Sequence, residues 1–183
     1  MKSASLLETV KAFLEKEGIR FHQTDGQPQL HFGFAGRSGR FLSHVAVKEK
    51  ARRVVMITDC PLSVPPDHRA AVAELVARIN NNAVLGNYDF DIDEGAIHYR
   101  TSFMLDGDDL DAGLLRHTLF ANWASTDFHF PAFTAVLYQG MPPKEALEGV
   151  KDALLKHSKE EAKRSPSPRF GGRLGGLLGD SGN

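Results

Sequence analysis

The sequence predicts an α+β fold, an antiparallel β-sheet with helices packed on it. An amphipathic helical stripe opens the chain. Four short β-prone segments then follow across connections far shorter than the dozen or so residues a parallel crossover needs, so sequence neighbours must pair antiparallel. A hairpin pattern and helical segments fill most of the remainder of the 183 residues.

Ser5 and Glu8 stand at capping-box spacing, each side chain placed to satisfy the other residue's backbone N–H. Leu6, Val10, Phe13 and Leu14 then share one stripe, and Gly18 suits the position past a helix end, which sets a first helix from Ser5 to residue 17. Strands follow at 19–23 and 30–35, across the turn-prone Asp25-Gly26-Gln27-Pro28. Gly36-Arg37-Ser38-Gly39 is the next tight turn, into a strand at 41–47, and Lys48-Glu49-Lys50 turns into 53–58, the most apolar strand. Pro65 and Pro66 open a second helix, where a missing N–H costs nothing. Its stripe is Val72, Leu75, Val76 and Ile79, and Asn80-Asn81-Asn82 frays its end. Segments 88–92 and 96–103 alternate apolar and polar residues around Asp93-Glu94-Gly95 and form a hairpin.

The rest is helical. Asp108 or Asp109 caps a helix to residue 125, and Pro131 opens another that Gly140 closes. Pro142 and Pro143 start a last one, with Leu147, Val150, Leu154 and His157 in line. The expected organisation is an α+β domain over 1–140, a helical extension over 141–162 and a tail over 163–183. The tail's Gly, Ser and Pro content leaves too little apolar surface to offset ordering, so it is expected to be disordered.

Charge and cysteine content narrow the function. With 22 Lys and Arg against 23 Asp and Glu, the net charge of −1 gives no overall electrostatic grip on nucleic acid. The lone Cys60 excludes a disulfide framework and a Cys-rich zinc site, and fits a reducing cytoplasm. No apolar run approaches the roughly 20 residues that cross a bilayer. Glu8 and Lys11 interrupt what would be the apolar region of a signal peptide. A cytoplasmic location is expected.

Most of the candidate chemistry in the sequence fails on spacing. Asp89, Asp91 and Asp93 alternate as at the start of a calcium loop, but Glu94 and Arg100 hold the positions that need Gly and a bidentate Glu. Asp106, Asp108, Asp109 and Asp111 form a second acidic cluster, which a helix N-terminus explains and which leaves a magnesium site open. The eight histidines include no close helical i, i+4 pair. Ser43 and His44 are strand neighbours facing opposite ways. Cys60 has no cationic neighbour to activate it, and Gly36 to Arg40 lacks a phosphate-loop ending and leads into a strand. Lys48, Lys50, Arg52 and Arg53 concentrate basic charge beside a turn, with Phe41 the one aromatic near them, which speaks against RNA binding. No metal and no cofactor is expected.

One stretch carries a family pattern. Ala77-Arg78-Ile79-Asn80, then Leu85-Gly86-Asn87-Tyr88-Asp89-Phe90-Asp91, then Gly95-Ala96-Ile97-His98-Tyr99-Arg100 resemble the bacterial YbjN family of sensory transduction regulators. Phe130-Pro131-Ala132-Phe133 and Gly140-Met141-Pro142-Pro143 agree with the C-terminal part of that family. The resemblance implies a fold shared with type III secretion chaperones, and it carries no catalytic residues. The motif residues Arg78, Asn80, Gly86, Asn87, Asp89, Asp91, Gly95 and Arg100 read as fold-holding. Gly86 can take a positive φ, Asn80 or Asn87 can cap backbone groups beside it, and Arg78 and Arg100 can each bridge to Asp89 or Asp91.

The expected function is therefore a non-catalytic, regulatory or chaperone-like module that binds another protein, in bacterial sensory transduction or stress regulation. The alternative is a small-molecule or metal-binding domain, or an enzyme, using the cluster of Asp106, Asp108, Asp109 and Asp111 with a histidine. The resemblance to secretion chaperones also implies a homodimer. The small, outward residues Ala70, Ala73 and Ala77, with Glu74 among them, are its candidate interface.

Overall fold

In the computed structural model, which describes residues 5–105 and 110–164, the expected antiparallel sheet has six strands. They are β1 (His22–Gln23), β2 (Gln29–Ala35), β3 (Arg40–Lys48), β4 (Arg53–Ser63), β5 (Asn87–Asp91) and β6 (Ala96–Met104). The helices are α1 (Leu6–Lys16), α2 (Arg69–Asn80), α3 (Ala112–Gln139) and α4 (Pro143–Arg164). Strand order is β1-β2-β3-β4-β6-β5, so β6 lies between the strands on either side of α2. A first compact unit ends at Lys151, and a second holds the rest of α4.

α1 buries Leu6, Val10, Phe13 and Leu14, the stripe that its periodicity picks out. Ser5 Oγ accepts from Glu8 N at 3.2 Å. The other half of the cap comes from far along the chain: the Glu49 carboxylate accepts from Leu6 N at 3.2 Å and Leu7 N at 2.9 Å. An anion suits the positive end of a helix. The turn that reads as basic in sequence is thus anchored through its one acidic residue.

Several elements differ from their sequence reading. The strand expected at 19–23 is cut to His22–Gln23. After a single tighter turn at Pro66–His68, the second helix begins at Arg69. β4 runs on to Ser63, because Cys60 continues the buried alternation and Pro61 falls where the pairing with β6 shifts register, a place that needs no ladder N–H. α3 begins at an Asp111 cap, whose side chain accepts from Gly113 N at 2.8 Å, and passes through Pro131 without ending. Expected caps Asp108 and Asp109 lie outside the described residues. A proline inside a helix costs about 3 kcal/mol. Burial of Ala132, Phe133, Val136 and Leu137 just beyond it offsets that cost, so one helix stands where a break and restart were expected.

α3 is the spine on which the core is organised. Its first half joins Leu115 and Leu119 to α1 and to Leu30, Phe32, Val45, Val54 and Met56 of the sheet. Its second half joins Ala132 and Phe133 to α2, Tyr88, Ile97 and Tyr99. Between the two apolar clusters Asn122 is 1% exposed and lies against the middle of the sheet. Its Oδ1 accepts from Thr58 Oγ1 at 2.6 Å, and its Nδ2 donates to Met56 O, Tyr99 O and Thr101 Oγ1 at 3.2–3.3 Å. Because the single Thr58 proton goes to Asn122, Ser43 Oγ must donate to Thr58 Oγ1 (2.7 Å), and it in turn accepts from Trp123 Nε1 at 3.0 Å. The chain of donors runs one way from the indole to the amide without a gap.

The hairpin tip between β2 and β3 is tied to the same helix. Asp127 accepts from Arg37 N at 2.9 Å and Ser38 N at 2.7 Å. The loop that lacks a phosphate-binding signature does hold an anion, but it is the protein's own.

On the opposite side of the sheet, register sets the polar rows. His22, His31 and His44 lie in one cross-strand row, and Asp59, His98 and Asp89 in another. His98 Nδ1 meets Asp59 Oδ1 at 2.8 Å. That bond holds the His98 pKa up and the Asp59 pKa down, while burial, against the opposing pull of Asp59, lowers that of His44. His98 therefore contributes stability below its ordinary 6.5, lost as pH rises through its raised value, and Asp59 contributes above its ordinary 3.8, lost on acidification through its lowered one. The pair works between those limits. With side chains 38% and 41% exposed it contributes under about 1 kcal/mol. Asp59→Asn is expected to lower the His98 midpoint in an NMR titration, and an unmoved midpoint would show that the pair does not form in solution.

Candidate functional site

The family-pattern residues meet where α2 turns into β5. Asn80 Nδ2 donates to Tyr88 O at 2.9 Å, and Tyr88 N donates back to Asn80 Oδ1 at 2.8 Å, so one side chain completes a strand-like pair across the connection. Gly86 has φ +82°, and a Cβ there would stand 2.5 Å from Arg100 O. Tyr99 Oη donates to Leu85 O. The loop is thus pinned at both ends, and Val84 and Leu85 are held outward, 101% and 41% exposed.

The remaining motif residues brace the hairpin. Asn87 Nδ2 donates to Asp89 Oδ1 at 2.8 Å, and Arg100 Nη2 lies 2.5 Å from Asp89 Oδ2, an ion contact without hydrogen-bond alignment. Asp91 Oδ1 accepts from Asp93 N and Glu94 N at 2.9 Å each, which builds it into the turn. Gly95 N donates to Asp91 O at 2.8 Å, and Gly95 O accepts from Val64 N at 2.9 Å. Arg78 does not reach the hairpin. Its Nε donates to Glu74 Oε1 at 2.7 Å, a glutamate one turn back on the same helix. Arg78 and Glu74 are 42% and 49% exposed, so Arg78→Ala is expected to cost less than about 1 kcal/mol in urea unfolding. A loss of 2 kcal/mol or more, roughly the scale of a buried charged hydrogen bond, would contradict this.

Beside the pinned loop, α2, α3 and the first turns of α4 enclose a groove of about 400 Å³. Ile79, Val84, Leu85, Phe128 and Leu147 supply its apolar lining, with Arg78, His129 and Lys151. A second groove of about 560 Å³ adjoins it along α2 and α4, sharing Arg78, Asn82, Leu147 and Lys151 and adding Glu74, Ala77, Lys144 and Glu148. His129 Nδ1 stands 2.9 Å from Ser125 O, a carbonyl that can only accept, so Nδ1 carries the proton. Burial, against the opposing bond to Ser125 O and with a smaller push from Lys151, lowers the His129 pKa. The ring's Nδ1 partner is thus a backbone carbonyl rather than a carboxylate.

Elsewhere the chemistry stays quiet. Cys60 is buried, and its thiol is pushed up to about 12 by desolvation and then by Asp59. Among the described residues no three His, Cys, Asp or Glu side chains are grouped to hold a metal ion. Of the acidic cluster, Asp111 serves as the α3 cap, and Asp106, Asp108 and Asp109 lie outside the described residues. Among the described residues no helix is long and apolar enough to cross a membrane. Of the candidate interface residues on α2, Ala70 and Ala77 are exposed, Ala73 is half-buried and Glu74 is paired with Arg78.

Residues 6–135 match the family model described as "YbjN: Putative bacterial sensory transduction regulator". The chain belongs to the YbjN family. The crystal structure of YbjN from E. coli, described as "a putative transcription regulator", superposes with a TM-score of 0.51 at 13% identity, over 66% of this chain and 85% of that one. The likeness extends to the HopA1–SchA chaperone–effector complex (TM-score 0.43, 12% identity, 69% of this chain and 94% of that one). It extends also to the ExsC–ExsE complex (0.42, 12%, 68% and 93%). No curated protein sequence matches the chain significantly.

The YbjN match ends inside α3, so Leu147 and Lys151 of the groove lie beyond it. The YbjN-like part builds the pinned loop and one wall, and α4 adds the other. Sequence reasoning missed this site because its residues come from three helices, the 81–86 loop and β6. Its one local signal was the apolar pair Val84-Leu85 in a connection otherwise made of Asn, Ala and Gly.

Proposed function

We propose that this YbjN-family protein is a non-catalytic regulatory module that acts by binding a segment of another protein in the groove bounded by α2, the 81–86 loop, α3 and α4. The observation that supports it is the pair Val84 and Leu85, held outward beside an apolar groove by a clasp built from the family's own motif residues. Exposed apolar side chains on a pinned loop cost solubility, and a bound partner recovers that cost by removing them from water. The family description as a sensory transduction regulator agrees with such a role.

Affinity capture from the native cell, run in parallel with wild type and Leu85→Asp, tests it. The expected result is a discrete set of proteins bound by wild type and lost from the variant at unchanged melting temperature. Identical capture by both would overturn the groove as the binding site. Sedimentation at micromolar concentration separates a second copy of this chain from a foreign partner. A dimer dissociated by Ala73→Glu would assign α2 to self-association instead.

A further inference from the structure

We propose that the segment seated in this groove is acidic and amphipathic, with apolar anchors on one helical face and a carboxylate placed to meet Lys151. This rests on the groove being the protein-binding site and adds the chemistry of the partner.

Volume sets the anchors. A ring-sized ligand fills a cavity of roughly 150 Å³, so about 400 Å³ takes two apolar side chains between Val84, Leu85, Phe128 and Leu147. Anchors one helical turn apart are what an amphipathic helix presents to a groove between helices.

Charge sets the polarity. The two grooves are lined by three cations, Arg78, Lys144 and Lys151, and two carboxylates, Glu74 and Glu148, so one positive charge is left over. Each carboxylate is already engaged on its own helix, Glu74 by Arg78 at 2.7 Å and Glu148 by Lys144 at 3.9 Å. Lys151 lines both grooves and has no ion-pair partner among the described residues. Burial disfavours a positive charge on His129 beside it. A carboxylate on the incoming segment pairs with Lys151 in surroundings that binding makes drier, where the attraction is stronger than in open water. A basic segment would set like charge against Lys151 and lose affinity.

Two synthetic peptides on the full chain test this: one with Leu at helical positions i, i+3, i+4 and i+7 and Glu elsewhere, the other with Lys for every Glu. Fluorescence anisotropy is expected to show the acidic peptide binding about ten-fold tighter or more, with an advantage that shrinks as salt rises. Lys151→Glu should remove most of that advantage, while Lys16→Glu, the same charge change on α1, should leave it intact. Equal binding of both peptides, preference for the basic one, or no binding of either overturns the inference. So does an acidic preference that survives Lys151→Glu. Loss of native capture by Leu85→Asp is read separately, so the site can stand while its acidic partner falls.

Discussion

Asn122→Ala is expected to lower the unfolding free energy by about 3 to 4 kcal/mol, among the largest effects of any single substitution in this chain. The amide is 1% exposed and is the last acceptor of the donor chain from Trp123 through Ser43 and Thr58. Truncation strands the Thr58 hydroxyl, takes the donor from Thr101 Oγ1 and leaves a void between two apolar clusters. Each buried polar group left unpaired costs roughly 1 to 3 kcal/mol. Asn122→Asp should be no better tolerated, since a carboxylate would face Met56 O and Tyr99 O with no proton to offer them. Urea unfolding monitored through Trp123 is the measurement. A loss below about 1 kcal/mol would mean that the network is replaceable by packing.

Gly86→Ala is expected to cost about 3 kcal/mol, against about 1 kcal/mol for Gly140→Ala. Both glycines have positive φ, +82° and +63°, and both substitutions bear the left-handed backbone penalty of roughly 1 to 2 kcal/mol. They differ in what the new Cβ meets. At Gly140 nothing lies within 4 Å, whereas at Gly86 Arg100 O is 2.5 Å away and Thr101 Cγ2 is 2.6 Å away. The first of these is main chain in a paired strand, so it is the loop that must yield, moving Val84 and Leu85 with it. Gly86→Ala should therefore weaken partner binding as well as stability. Equal melting of the two variants would show that the loop shifts freely and that the groove wall is not fixed.

Local pattern was enough wherever the physics is local. The stripes on α1 and α2 appear as spaced, because burial with a period of 3.6 is what makes those helices form. The hairpin strands follow from alternation in the same way, whereas the sequence reading of β4 stops at residue 58 and the strand runs on to Ser63. Where a partner is remote the sequence is silent. Glu49 caps α1 from 42 and 43 residues away, and nothing in Lys48-Glu49-Lys50 announces it. Pro131 gives the same local signal whether it opens a helix or is carried through one. Packing of Ala132 and Phe133 decides between them. Arg78 pairs with Glu74 on its own helix, and the groove draws its residues from separate elements, one of them past the family match.

The position of β6 in the sheet has a consequence during synthesis. Residues Arg53 to Asp59 of β4 pair on one side with β3, which precedes them, and on the other with Met104 to His98, which emerge only after α2 and β5. Until then a growing chain carries the most apolar strand with an unprotected edge, the arrangement that recruits another chain. Fragments that stop before Ala96 are thus expected to aggregate, and translation through Met104 marks the point at which the nascent protein closes its sheet.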